Sequence, residues 1–261
     1  MYLIDTHSHI SHFHGDKQQT VLDRALEAGI KKFINVACSL SELEPHLAFA
    51  KKYDFVWSTA GMHPTDLPET REESLAIIRK YAAEEKVVAI GEIGLDYYHD
   101  KHPHDMQEDF LVAQLEIATE FGLPAIIHLR SSKNPGGNEA VFEDAIHILE
   151  RERFSNGVAH CFSGNMIEAE KILDLGLMIS FTGIITYERN EELREVAKMV
   201  PLDRIMLETD APYLTIESNK GNPGEPKDVV EIAKTIAEVK GISFEEVAQM
   251  TTANAERFFK I

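Results

Sequence analysis

Eight short apolar runs, separated by longer amphipathic stretches, recur along the chain from end to end. The runs are Tyr2–His9, Lys32–Ala37, Phe55–Gly61, Val87–Glu92, Ala125–His128, Gly157–His160, Met178–Thr182 and Arg204–Glu208. Between them the spacing predicts helices over Lys17–Ala28, Ser41–Lys52, Glu69–Ala83, His104–Phe121, Asn138–Arg151, Asn165–Leu175, Glu191–Met199 and Lys227–Val239. Strict alternation of strand and helix requires parallel strands joined by crossover helices. Eight such units in about 250 residues favour a closed barrel. An open doubly wound sheet is the runner-up, disfavoured because neither G-x-G-x-x-G after a strand nor G-x-x-x-x-G-K-[ST] occurs. A last segment, Ser243–Phe259, opens with a capping-box spacing from Ser243 to Glu246 and reads as an extra helix. The expected fold is therefore α/β, a (β/α)8 TIM barrel with an additional C-terminal helix, forming one domain over residues 1–261.

Charge narrows the partners. With 44 acidic against 26 basic residues the net charge is −18, which disfavours sequence-independent binding along a nucleic-acid duplex. A small phosphate-bearing substrate remains compatible, because bound metal ions reverse the local sign of a site. No apolar run reaches the length of a membrane span, and the first residues lack a basic stretch followed by an apolar one. Cys38 and Cys161 lie far apart, so a disulfide framework is not expected and a reducing, cytoplasmic setting fits. No obligate protein partner is evident.

Metal-competent residues stand at the ends of five of the runs. The first ends Asp5-Thr-His7-Ser-His9, where i, i+2 spacing puts Asp5, His7 and His9 on one face of a strand. Glu92 closes the fourth run, His128 the fifth and His160 the sixth, while Asp210 follows the eighth. That end of the strands is where TIM-barrel active sites are found. The expected arrangement is two divalent cations. His7, His9 and Asp210 hold one, His128 and His160 hold the other, and Glu92 bridges them through its two oxygens. Such a pair polarises a phosphoryl group and acidifies a water between the ions. Asp210 can also accept that water's proton, so Asp210 and Glu92 are the expected catalytic residues. Four histidines favour zinc, manganese, cobalt or iron over magnesium.

Taken together, these motifs resemble the TatD family of metal-dependent deoxyribonucleases, in the amidohydrolase-like superfamily of TIM barrels. The resemblance rests on Asp5-Thr-His-Ser-His9, Gly61-Met-His-Pro64, Gly91-Glu-Ile-Gly-Leu-Asp-Tyr97 and Ile127-His-Leu-Arg130. It continues through His160-Cys-Phe-Ser-Gly164, Glu208-Thr-Asp-Ala-Pro-Tyr-Leu214 and Thr252-Ala-Asn-Ala-Glu-Arg257. It implies the same metal ligands, namely His7, His9, Glu92, His128, His160 and Asp210. It also implies hydrolysis of phosphodiester bonds at DNA 3′ ends, with DNA ends or oligonucleotides as substrate. Because the family is usually regarded as magnesium-dependent, the two ions are expected to be zinc, manganese or magnesium. His63 and Arg130 are the expected phosphate contacts, Arg for its planar fork. Tyr97, Tyr98 and Phe162 are expected to pack under a loop, with stacking on a frayed terminal base as the other role. Asn254 and Arg257 are expected to fasten the last helix.

Two loops depart from the family pattern. After the eighth run the chain reads Asn222-Pro-Gly-Glu-Pro226, where the family usually carries Arg-Asn-x-Pro, and Ser131–Glu139 is long, with Pro135-Gly-Gly137 at its middle. Both border the expected site and bear on specificity. They motivate the alternative of a small ester, amide or phosphate substrate on the same barrel. A non-catalytic, metal-dependent binding protein is the third class, which no sequence feature favours.

Overall fold

A computed structural model describes residues 1–99, 101–132 and 141–261. Its eight strands are β1 (Leu3–Ser8), β2 (Ile30–Asn35), β3 (Val56–Ala60), β4 (Val87–Asp96), β5 (Ala125–Arg130), β6 (Gly157–His160), β7 (Met178–Phe181) and β8 (Ile205–Leu207). They lie side by side in chain order, and each pairs in parallel with the next. Helices α1 (Asp16–Glu27), α2 (Leu40–Lys52), α3 (Arg71–Ala82), α4 (His104–Phe121), α5 (Val141–Glu152), α6 (Met166–Asp174), α7 (Glu191–Met199) and α8 (Val229–Lys240) follow the strands in turn. The terminal helix α9 covers Phe244–Phe259 and opens with the expected Ser243–Glu246 capping box. This is the eight-stranded α/β barrel expected from the alternation. No helix among the described residues is long and apolar enough to cross a membrane.

The seam between β8 and β1 is closed largely by side chains. Thr209 donates to the buried Asp5 carboxylate from its backbone N–H at 2.9 Å and from its hydroxyl at 2.6 Å. Thr6 Oγ1 donates to the Leu207 carbonyl at 3.0 Å. Just beyond the strand ends, Asp210 N–H donates to His7 and His9 N–H to Ala211. Asp5 is thus turned to the seam, although strand parity had grouped it with His7 and His9. The β1 register slips between Asp5 and Ser8, and simple alternation does not survive that slip.

Two apolar layers surround the strands. Ile126 and Val158 precede His128 and His160 by two residues and so share their face, the barrel interior. There they join Ile4, Ile34, Val88, Met178 and Met206 in one cluster that also holds Ala255 and Phe259 of α9. The last helix therefore closes the bottom of the barrel. Asn254 fastens it by donating to the carbonyls of Leu202 and Ile205, and Arg257 donates to Asn254, as expected. The outer layer packs the helices against the strands. Phe259 is 3 % exposed, and Phe259→Ala should destabilise the fold by about 3–5 kcal/mol. Urea unfolding checks this, and a loss under about 1 kcal/mol would show that α9 does not close the core.

Some boundaries differ from expectation. β4 does not stop at Glu92 but runs on to Asp96, with a register slip against β5 between Ile90 and Ile93. Gly94 permits this: at φ 146° an added Cβ would lie 2.0 Å from the His128 carbonyl oxygen. α5 begins its described length at Val141, so the start expected at Asn138 and most of the Ser131–Glu139 loop lie outside the described residues. The altered loop at Asn222–Pro226 is tied down by Glu225, whose carboxylate accepts two bonds from Arg24 of α1 at 2.8 and 2.7 Å.

Candidate metal centre

The six expected ligands converge at the C-terminal mouth of the barrel. His7 leads β1 into the site, His9 follows it, and their Nε2 atoms are 3.2 Å apart. Asp210 stands three residues past β8, at a left-handed φ of 56° that short polar side chains tolerate. Its Oδ1 is 3.2 Å from His9 Nε2 and 3.7 Å from His7 Nε2. Glu92, midway along β4 and 3 % exposed, divides its carboxylate between two groups of histidines. Its Oε2 lies 3.3 Å from His7 Nε2 and 3.9 Å from His9 Nε2. Its Oε1 lies 2.8 Å from His128 Nδ1 and 3.6 Å from both His160 Nε2 and His63 Nε2.

Donor atoms of three trios fall within 4.8 Å of one another here: His7, His9 and Glu92; His7, His160 and Asp210; His63, Glu92 and His128. His160 stacks on His7 with ring centroids 3.6 Å apart, so it stands between the two groups instead of beside His128 alone. His63 joins the cluster directly. Thr65 steadies its Nδ1 at 2.7 Å, and its ring meets His128 edge-on.

The histidines are held from behind. His9 Nδ1 donates to the Val36 carbonyl at 2.9 Å, which leaves the Nε2 lone pair facing the cluster. His128 Nε2 bonds Asp96 Oδ2 at 3.2 Å, which turns Nδ1 toward Glu92. His160 Nδ1 lies 2.7 Å from Glu208 Oε1, which turns Nε2 the same way. A carboxylate or carbonyl behind a ligating imidazole sets both its orientation and its basicity. Asp96 and Glu208 were not singled out from the sequence. Both stand inside quoted motifs, four residues after Glu92 and two before Asp210, and a search for carboxylates at even spacing from a ligand would have found them.

The electrostatics suit divalent cations. Burial opposes ionisation of Glu92, but His160 and His7 outweigh it and hold the carboxyl well below its usual range. Burial also resists charge on His160, yet Glu208 and Glu92 push its pKa up to about 10. Burial and the neighbouring His160 lower that of His7. Without a cation, then, the buried carboxylates are balanced by protons on selected rings. Divalent cations supply the same balance and displace those protons. Six converging nitrogen and oxygen donors, with lone pairs aimed inward, fit borderline divalent metals.

The cluster opens into a cleft of about 830 Å³ bordered by His12, Glu42, Asp66, His99, Arg130 and Tyr213, among others. Arg130 is exposed on this rim and stacks on Tyr98, 4.1 Å from the ring centroid. Tyr97 is buried, stacked on His104, and donates to Asp144, while the buried Phe162 packs on Phe142. These two rings pack, as expected, and are not free to stack on a base. Cys38 and Cys161 carry free thiols, and Cys38 Sγ sits 3.5 Å from Glu92 Oε2.

Comparison with known proteins agrees with this architecture. The family model described as TatD related DNase matches residues 4–260. Among curated relatives, the uncharacterized metal-dependent hydrolase YabD of Bacillus subtilis is 37 % identical over 99 % of both chains. The 3′-5′ ssDNA/RNA exonuclease TatD of Cronobacter sakazakii is 36 % identical over 95 % of this chain and 94 % of its own. The crystal structure of YjjV, a TatD homologue from Escherichia coli K12, superposes with a TM-score of 0.91 at 31 % identity, covering 99 % of this chain and 98 % of that one. A barrel of this order, a mouth lined by histidines and carboxylates, and matches over nearly the whole length lead to one conclusion: the chain belongs to the TatD family of metal-dependent hydrolases.

Proposed function

We propose that residues 1–261 act as a single catalytic domain, a two-metal phosphodiesterase that trims single-stranded DNA from its 3′ end. The observation that carries this reading is the divided carboxylate of Glu92, one oxygen toward His7 and His9 and the other toward His128, His160 and His63. Such a carboxylate suits a bridge between two cations. His7, His9 and Asp210 would hold one, and His128 and His160 the other. Cations held by these residues would supply Lewis acidity toward the phosphoryl oxygens and toward an attacking water. The exonuclease name of the Cronobacter relative supports the choice of substrate.

The chain's own residues supply the rest. Asp210, whose Oδ1 lies 3.2 Å from His9 at the mouth of the cluster, is placed to accept the proton of the attacking water. His63, at the edge of the cluster, and Arg130, on the rim, are the proposed phosphate contacts. Arg130 would reach the phosphate from its platform on Tyr98, presenting the N–H edge of its guanidinium fork. Asp96 and Glu208 keep the imidazoles of His128 and His160 in register.

The test uses a single-stranded oligonucleotide labelled at its 5′ end. Protein loaded with zinc, manganese or magnesium should produce a ladder of shortened, still labelled products, and chelator should stop it. No shortening with any of the three metals would refute the reading. A second reading, hydrolysis of a small phosphate, ester or amide, draws on the acidic rim, where Glu42 and Asp66 would repel a long polyanion. Turnover of such a substrate, with none of the oligonucleotide, would establish it instead.

A further inference from the structure

Beside the central cluster lies a second group of metal-competent side chains that shares none of its donors. His12 ends the short turn Ile10–His12 that follows His9. Glu42 and His46 are four residues apart on α2, hence on one helix face, and that face meets the turn. We propose that His12, Glu42 and His46 form a third divalent-cation site of the zinc type on the rim of the cleft.

Geometry carries the proposal. One donor atom from each of the three residues lies within 4.8 Å of the other two, and His12 Nε2 is 3.1 Å from Glu42 Oε1. Ligands at about 2.0–2.1 Å from a tetrahedral zinc stand roughly 3.4 Å apart, so small side-chain shifts suffice to close on an ion. His46 supplies an independent sign. Its ring is 1 % exposed, and its Nδ1 is buried with no hydrogen-bond partner. A buried polar atom left in that state is costly, and a cation would satisfy it.

The supports behind these donors match those of the central cluster. The Tyr213 hydroxyl holds His12 Nδ1 at 2.7 Å, leaving Nε2 toward Glu42. The second oxygen of Glu42 accepts the Cys38 N–H at 2.7 Å, which aims the first at His12. Burial, the largest influence on His46, lowers its pKa to about 4, so the ring is neutral and able to ligate at neutral pH. Three protein donors leave a fourth position open. Because His12 and Glu42 line the cleft, that position faces the space above the central cluster, where a water or a further phosphate oxygen of the substrate would fit.

The test counts metal and needs no substrate, so it stands apart from the nuclease reading. Wild-type protein is saturated with zinc, dialysed against metal-free buffer and analysed by plasma mass spectrometry. About three equivalents per chain are expected, two for the central cluster and one for the rim. The double variant His12→Asn, Glu42→Gln changes only half-buried rim residues and should retain about one equivalent fewer. Circular dichroism would confirm its fold. Cobalt substitution gives a second readout: the spectrum of wild type minus variant should be that of one four-coordinate ion. An unchanged zinc count with an unchanged cobalt spectrum would overturn the proposal.

Discussion

Glu92→Ala should reduce oligonucleotide shortening by about 10³-fold or more, equivalent to roughly 4 kcal/mol of lost transition-state stabilisation. Both halves of the cluster lose their shared anion at once. His7 Nε2 and His128 Nδ1, now 3.3 and 2.8 Å from the Glu92 oxygens, would face each other with no carboxylate between them. The fold should survive, because Glu92 holds β4 in place through a backbone N–H donated to the Ala37 carbonyl, which alanine keeps. Glu92→Gln separates charge from shape: it preserves one oxygen and the side-chain volume but loses the negative charge that draws in two cations. It should therefore fall between wild type and Glu92→Ala. Steady-state rates at saturating metal make the comparison. An equal loss in Glu92→Ala and in the exposed Glu73→Ala would show that the carboxylate does no chemistry.

Removing the metals should lower the melting temperature by about 10 °C or more. At a free concentration of 100 times Kd, each ion bound to the native state alone contributes about 2.7 kcal/mol, and two contribute about 5 kcal/mol. In a chain of this size each kcal/mol moves the melting temperature by about 2–4 °C. Stripping the ions also returns Glu92, Asp210 and Glu208 to one crowded, water-poor space, where only protonated imidazoles offset them. Scanning calorimetry of chelated and zinc-reloaded protein measures the shift. Identical melting curves would mean that the cluster gains nothing from cations.

Most of the barrel could be read from the sequence, because hydrophobic periodicity is local. A strand buried on both faces needs an unbroken apolar run, and its crossover helix needs an amphipathic one. β5, β6 and β7 begin at the residues where their runs begin. The candidate ligands were legible for a related reason. In a parallel barrel all strand ends meet at one mouth, so a histidine closing one run and a carboxylate closing another must approach each other. His7, His9, Glu92, His128, His160 and Asp210 are drawn together by topology alone.

Other features depended on how segments distant in sequence come to lie. Asp5 shares a motif with His7 and His9, yet the β1 register slip and the pull of Thr209 turn it into the barrel seam. Asp96 and Glu208 matter because of the imidazoles behind which they stand, and no residue carries that information alone. Likewise His12 and the pair Glu42, His46 are unremarkable in their own segments and become a candidate site only when the turn after β1 meets α2.

By itself, then, the chain's pattern of residues determined the class of fold, the end of the barrel where chemistry gathers and the side chains that gather there. These follow from short-range periodicity and from one fixed topology. Tertiary structure alone decided which oxygen faces which nitrogen, which carboxylates stand behind the histidines and which neighbours form a second cluster. Those depend on distances of a few ångströms between segments far apart in the chain, and periodicity does not encode them.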